Sequence, residues 1–195
     1  SYIPGSAFKP IVGMAALEAA GLDPEKDYVT CSGKYWEPPY ISCTGVHGRV
    51  NYCSGMAKSC NVYFQEIARR AGITEIGRVG AEFGLGRLTG IDLPFESVGI
   101  LPDLEWQEEE FEKRSKSINQ KIDNKIAELE QEYNEKIALA ADEREKRSLE
   151  NQLKSLKRTW ESQRQQELQH YTTWHSWDTY NVGIGQGYNQ YTIIQ

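Results

Sequence analysis

Pro4-Gly5-Ser6-Ala7-Phe8-Lys9-Pro10 stands directly in front of an apolar run that includes Met14, Ala15, Leu17 and Ala19. If that run continues as a helix, the helix starts at or just before Ser6. Ser6 and Lys9 then share a face about one turn apart. A serine hydroxyl is a weak nucleophile until an adjacent base takes its proton. A lysine can be that base when desolvation or cationic neighbours lower its pKa. The helix N-terminus adds partial positive charge where an oxyanion develops. Taken alone, the pair reads more readily as a capping serine and a surface lysine than as a catalytic pair.

The rest of the chain changes the weight of that pair. Ser59-Cys60-Asn61 follows about fifty residues later and opens an amphipathic stretch, Val62-Tyr63-Phe64-Gln65-Glu66-Ile67-Ala68. Around it stand Ala16-Leu17-Glu18, His47-Gly48-Arg49-Val50-Asn51, Gly90-Ile91-Asp92-Leu93-Pro94 and Val182-Gly183-Ile184-Gly185-Gln186-Gly187. In this order and spacing the set resembles the transpeptidase domain of class B penicillin-binding proteins of the elongation type, penicillin-binding protein 2. The resemblance covers residues 1–104 and 171–195. It lacks one signature: no Lys-Thr-Gly occurs in the sequence.

The resemblance implies an α/β (α+β) serine-transpeptidase fold, a mainly antiparallel sheet flanked by helices, of which these residues supply chiefly the helical side. It implies that Ser6 attacks the carbonyl of a D-Ala-D-Ala stem peptide, that Lys9 takes its proton, and that an acyl-enzyme forms. Ser59 would relay a proton to or from the leaving amine, and Asn61 would hold the substrate amide or orient Lys9. One oxyanion-hole N–H would come from Ser6 and another from a strand beyond residue 195. β-Lactam antibiotics would acylate the same serine. The rival readings are a penicillin-sensing receptor domain, which acylates without cross-linking, and a non-catalytic cell-wall scaffold. A soluble β-lactamase fits less well, because no deacylating glutamate motif is evident.

Length and charge set further bounds. The net charge of −6 over 195 residues argues against nucleic acid as a partner. No run of about eighteen apolar residues occurs, and Ser1-Tyr2-Ile3-Pro4 is neither a signal peptide nor a membrane span. The chain reads as a piece of a longer protein, and the resemblance implies that this protein is membrane-anchored and works on the extracytoplasmic face of a bacterial membrane. Thr192-Ile193-Ile194-Gln195 resembles the Thr-Pro-Leu-Gln-like segment that precedes the Lys-Thr-Gly strand in the family, which places that strand beyond the last residue. Taken alone, without that platform for the substrate carboxylate, the chain is expected to be inactive.

Residues 105–170 differ from their surroundings. They hold 13 Lys/Arg and 16 Asp/Glu in 66 residues and no Gly or Pro. Ile118, Ile122, Ile126, Leu129, Tyr133 and Ile137 form one helical stripe; Leu149, Leu153, Leu156 and Trp160 form a second. Asp142-Glu143-Arg144-Glu145 reads as a capping box between them. The pattern predicts an antiparallel hairpin turning near Ala140–Asp142, inserted between residues 1–104 and 171–195, because entry and exit must rejoin the same domain. One continuous helix through the turn, which the lack of Gly or Pro would permit, is the alternative. Its alternating charges read as a solvated face, with a docking surface for other cell-wall elongation proteins as the alternative. Elsewhere, helices are expected over about 6–20, 52–70 and 74–84, with loops and short strands over 23–50.

Cys31, Cys43, His47 and Cys60 supply three thiols and an imidazole, the Cys3His set of a closed structural zinc site. The resemblance strengthens this, since some elongation-type relatives hold zinc beside the active site through ligands matching His47 and Cys60, with aspartates near the positions of Cys31 and Cys43. A Cys31–Cys43 disulfide, suited to an oxidising compartment, is the alternative; buried free thiols are another. Cys53, on the expected helix with Met56, reads as core packing. Gly183-x-Gly185-x-Gly187 lacks the lysine of a phosphate loop and reads as tight backbone packing. His170 and His175, near Trp174 and Trp177, read as packing residues.

Overall fold

The computed structural model describes residues 1–92 and 94–192. Leu93 of the Gly90–Pro94 motif and residues 193–195 of the terminal segment lie outside the described residues. The chain forms two compact units. One comprises Ser1–Gln107 with the segment from Trp174 onward, and the other comprises Glu108–Thr173.

In the first unit a 3-10 turn, Gly5–Phe8, leads into α1 (Lys9–Ala19). The single helix expected from Ser6 is thus two pieces, and Pro10 is the reason. It has no N–H to give the Ser6 carbonyl, so that carbonyl takes the Lys9 N–H in a tighter turn. The short strands β1 (Val29–Cys31) and β2 (Gly48–Val50) pair antiparallel, Cys31 opposite Gly48. Next come α2 (Tyr52–Ala57) and α3 (Asn61–Glu82). The helix expected over 52–70 is interrupted at residues 58–60, where Ser59 adopts φ +50°. The next expected break, between 70 and 74, is a kink at Gly72 (φ 80°) within α3.

α3 is the spine of this unit. Val62, Tyr63, Phe64, Ile67 and Ala68 are fully buried on it, with α1 packed on one side and α6 (Ser176–Gly183) on another. Gly183 is required there, since a Cβ would come within 2.5 Å of the Ala68 Cβ. Cys53, expected in the core, is exposed. The six residues of α2 turn Tyr52 toward Gly13 and bury Gly55, which leaves Cys53 on the solvent side. The unit is mixed, with helices dominating a two-stranded sheet, in keeping with the helical side of an α+β fold.

The second unit contains most of α4 (Leu104–Ala138) and α5 (Glu143–Tyr171). Asp142 caps α5, its carboxylate accepting the Glu145 N–H at 2.8 Å, while Glu145 accepts the Ala141 N–H at 2.8 Å. Lys121 pairs with Glu167 (3.4 Å), Asp123 with Arg164 (2.6 Å) and Glu130 with Lys157, so the two arms run antiparallel. His175 opens α6 in the first unit as its N-cap and stacks on Trp177 at 4.0 Å.

Candidate active site

The interruption before α3 and the turn before α1 bring four predicted residues together. Lys9 is 1% exposed, on the inner face of α1. Its Nζ lies 2.7 Å from Asn61 Oδ1, 2.8 Å from the Ser59 carbonyl, 2.9 Å from Ser59 Oγ and 3.2 Å from Ser6 Oγ. Ser59 Oγ stands 2.9 Å from Ser6 Oγ. Ser6 itself is exposed. The nucleophile candidate thus faces solvent while its base candidate is sealed behind it.

Backbone strain contributes to this arrangement. A non-glycine residue at φ +50° is uncommon and costs about 1–2 kcal/mol, and Ser59 in that conformation turns both its carbonyl and its hydroxyl toward one amine. The carbonyl of Ser59 and the Oδ1 of Asn61 can only accept, so they take two N–H groups of Lys9. The remaining position on nitrogen, proton or lone pair, is left for the hydroxyls. Burial pulls the Lys9 pKa below the ordinary lysine value, against an opposing pull from the Cys43 and Cys60 thiols. The neutral amine, whose lone pair can take a proton from a serine hydroxyl, is thereby easier to reach than on an exposed lysine.

Three supports were not foreseen from sequence. The Gly5 N–H donates to the Gly185 carbonyl at 2.9 Å, and a Cβ on Gly185 (φ +71°) would stand 1.9 Å from the Gly5 carbonyl oxygen. The tight packing expected of the glycine run is therefore directed at the turn that carries Ser6. Asn61 Nδ2 donates to the Ser42 carbonyl at 3.3 Å. Five residues along α3, Glu66 is buried and accepts from Arg69, Arg70 and the Tyr35 hydroxyl, at 2.8–2.9 Å. A Glu followed by Arg at i+3 and i+4 reads as a surface pair; only Tyr35, distant in sequence, reveals otherwise.

The four metal-ligand candidates also converge. The Sγ atoms of Cys31, Cys43 and Cys60 and a ring nitrogen of His47 all lie within 4.8 Å of one another. Cys43 and Cys60 sulfurs are 3.8 Å apart, and His47 Nδ1 lies 3.4 Å from Cys43 Sγ and 3.7 Å from Cys31 Sγ. A tetrahedron with metal–sulfur bonds of about 2.3 Å has edges of about 3.8 Å, so the set fits such an ion. All four cysteines are free thiols, and the alternative Cys31–Cys43 disulfide is not formed. Burial pushes Cys60 up to about 12. Burial also acts on Cys43, but backbone amides of Val62, Gly45 and Asn61 outweigh it and draw that thiol down to about 6. A second thiolate here therefore calls for a compensating cation. Cys60 is the N-cap of α3 and Cys43 Sγ accepts the Asn61 N–H at 3.2 Å, so the cluster buttresses Asn61 from behind.

Comparison with known proteins fits this geometry. The peptidoglycan D,D-transpeptidase MrdA of Acinetobacter baumannii is 34% identical over 111 residues, 54% of this chain and 16% of that protein. Stage V sporulation protein D of Bacillus subtilis is 36% identical over 108 residues, 54% of this chain and 17% of its own length. The chain thus spans less than a fifth of these relatives. Among solved structures, Pseudomonas aeruginosa PBP2 in complex with WCK 5153 superposes with a TM-score of 0.62 at 23% identity, over 99% of this chain and 31% of that one. PBP2 of Helicobacter pylori, solved as a complex with MreC, gives 0.62 at 21% identity, over 98% of this chain and 25% of that one. At these identities the likeness is one of fold. The family model described as the penicillin binding protein transpeptidase domain matches residues 1–131, two thirds of the chain, and with Ser6, Lys9, Ser59 and Asn61 assembled as above the chain belongs to that family.

Proposed function

We propose that this chain carries the serine, lysine and asparagine of a peptidoglycan D,D-transpeptidase whose parent protein cross-links stem peptides through an acyl-enzyme on Ser6. The observation that carries the reading is a buried lysine amine within 3.2 Å of an exposed serine hydroxyl, its other contacts being Ser59 and Asn61. Ser6 Oγ attacks the carbonyl of the penultimate D-alanine. Its proton passes to Lys9, directly or through Ser59 Oγ, and Ser59 returns it to the departing D-alanine amine. The acceptor amine of a second stem peptide then releases the acyl group. A β-lactam enters the same first step and stays bound. Asn61 keeps the amine of Lys9 aimed and, through Nδ2 and the Ser42 carbonyl, fixes the wall of the site.

Cys31, Cys43, His47 and Cys60 hold a structural zinc ion. Bound there, zinc supplies charge compensation for three thiolates and rigidity behind Asn61, with no open coordination position needed. The parent protein works on the extracytoplasmic face of the membrane within a cell-wall elongation assembly, a reading supported by the MrdA relatives and by the solved pairing of the H. pylori protein with MreC. None of the described helices is long and apolar enough to cross a membrane.

The test is covalent labelling of the parent protein by a fluorescent penicillin. Ser6→Ala abolishes labelling, and Lys9→Ala lowers its rate by about three orders of magnitude. Labelling that survives Ser6→Ala overturns the assignment. Metal analysis of protein purified without chelator, with a thiol count, is expected to give one zinc per chain. No metal and a full set of reactive thiols would sink the zinc reading and leave the serine–lysine reading standing.

A further inference from the structure

The charged hairpin plays no part in the chemistry above, and its surface is organised by sign. Over residues 128–138, the stretch nearest the turn, α4 carries Glu128, Glu130, Glu132 and Glu135 against one cation, Lys136. The facing stretch of α5, residues 143–158, carries six Lys/Arg against three Glu. One arm is therefore acidic and the other basic over the same length. The apolar stripes between them are only partly covered. Among the described residues of the hairpin, Ile118 and Ile122 are buried, and no residue of α5 is. Nearer the turn, Leu129, Tyr133 and Ile137 on one arm and Leu149, Leu153 and Leu156 on the other stay half-buried. Two helices cannot enclose a stripe on each, whereas four can. A groove of about 650 Å³ between the arms is lined by Ile137 and Leu153 and by Lys154, Lys157 and Arg158, which outnumber the carboxylates of Glu150 and Glu161 there.

We propose that this face is an isologous interface, occupied by the hairpin of a second copy of the chain to form an antiparallel four-helix bundle. An occupant of that groove needs apolar residues at helical spacing flanked by carboxylates, and the acidic arm of α4 has that pattern. A two-fold axis sets each acidic arm against the partner's basic arm, so one contact satisfies both copies. The available area suffices when the arms meet along their whole length, beyond the charge-segregated stretch near the turn. A 29-residue arm is about 44 Å long, and two helices side by side are about 20 Å wide, giving a face of about 900 Å². A standard interface buries about 800 Å² on each partner. The proposal does not depend on the catalytic reading.

Sedimentation equilibrium on the whole chain at tens of micromolar tests it. The expected species has twice the 22.2 kDa mass of the chain and loosens severalfold from low to high salt. Two variants follow, one with Lys154→Glu, Lys157→Glu and Arg158→Glu, the other with Glu128→Lys, Glu132→Lys and Glu135→Lys. Each alone, with helical circular dichroism unchanged, weakens self-association at least about tenfold. Mixed together they recover a 1:1 dimer. Should a variant lose its helix, the salt series on the unaltered chain decides. A monomer at all concentrations overturns the proposal. So does a dimer indifferent to salt, one retained by both variants, or a hairpin that captures another wall-synthesis protein while the chain stays monomeric.

Discussion

The two units handle charge in opposite ways. The unit built on α3 encloses Lys9 and Glu66, each nearly inaccessible and each surrounded by fixed partners. The hairpin carries a far larger number of charges and keeps them at its surface, in ion pairs whose members are mostly exposed. Two unit charges 4 Å apart interact by about 1 kcal/mol in water and about 4 kcal/mol at the effective dielectric of a protein surface region. The number of charges therefore says little about stability or chemistry; removal from water decides both. The sharpest way to break this contrast is Glu66→Ala. It leaves the fully buried Tyr35 hydroxyl without its acceptor and empties the space of a buried side chain, while the two part-exposed guanidinium groups can turn to water, and a loss of about 2–4 kcal/mol is expected. Denaturant unfolding measures it, and a loss under 1 kcal/mol would place Glu66 with the hairpin charges.

Gly185→Ala comes next. The new Cβ meets the Gly5 carbonyl at 1.9 Å, a backbone atom with little room to move, and the residue must hold φ +71°. Left-handed strain of about 1–2 kcal/mol adds to overpacking of about 1–3 kcal/mol. Thermal unfolding should show that loss, and penicillin labelling of the parent should fall further than stability alone explains, because the clash is on the turn carrying Ser6. Gly187→Ala is the milder control, since its Cβ meets only the Asn181 side chain, at 3.2 Å.

These positions also show what the sequence could and could not reveal. Ser6, Lys9, Ser59 and Asn61 were legible because a serine–lysine pair and a serine–asparagine pair carry chemistry in their residue types and recur in a linked set. The Cys3His grouping was legible for the same reason. The hairpin was legible because its composition breaks sharply and its stripes keep helical spacing. What the sequence hid depends on tertiary contact. Glu66 looks like a surface residue until Tyr35 folds over it. The break at Ser59 is hidden because no Gly or Pro between Lys58 and Asn61 marks it. Cys53 was misplaced because the helix that carries it is only six residues long, and so has a different inner face from the longer one expected.

The pH dependence of acylation probes the buried side of the contrast. Burial lowers the Lys9 pKa from the 10.5 of a free lysine. The neutral amine, the form able to accept the Ser6 proton, is then available at lower pH than on an exposed lysine. Below its folded pKa the labelling rate should fall about tenfold per pH unit, and above it the rate should level off. The stability effect has a related sign: because the folded value is the lower one, Lys9's contribution is complete above 10.5 and lost as pH falls through the folded value. A rate that keeps climbing to an inflection at or above 10.5 would mean that Lys9 behaves as a solvated lysine and is not the base.

The smallest effect belongs to the hairpin, and it tests the contrast from the other side. Glu130 and Lys157 join the two arms, and both side chains are about 40% exposed (43% and 40%). Glu130→Gln keeps the shape and removes the charge. Water screens the pair, and two flexible side chains are released when it breaks, so the expected loss is under about 1 kcal/mol. It should shrink further in high salt, where the Debye length drops to about 3 Å at 1 M. Unfolding followed by the helical circular dichroism, to which α4 and α5 contribute most, is the appropriate measurement. A loss comparable with that at Glu66 would require Glu130 to be far less hydrated than the isolated chain makes it, as it would be if a partner covered the acidic arm. The concentration dependence separates the two cases: a loss that grows with protein concentration reports the interface, and a loss that does not reports the hairpin alone.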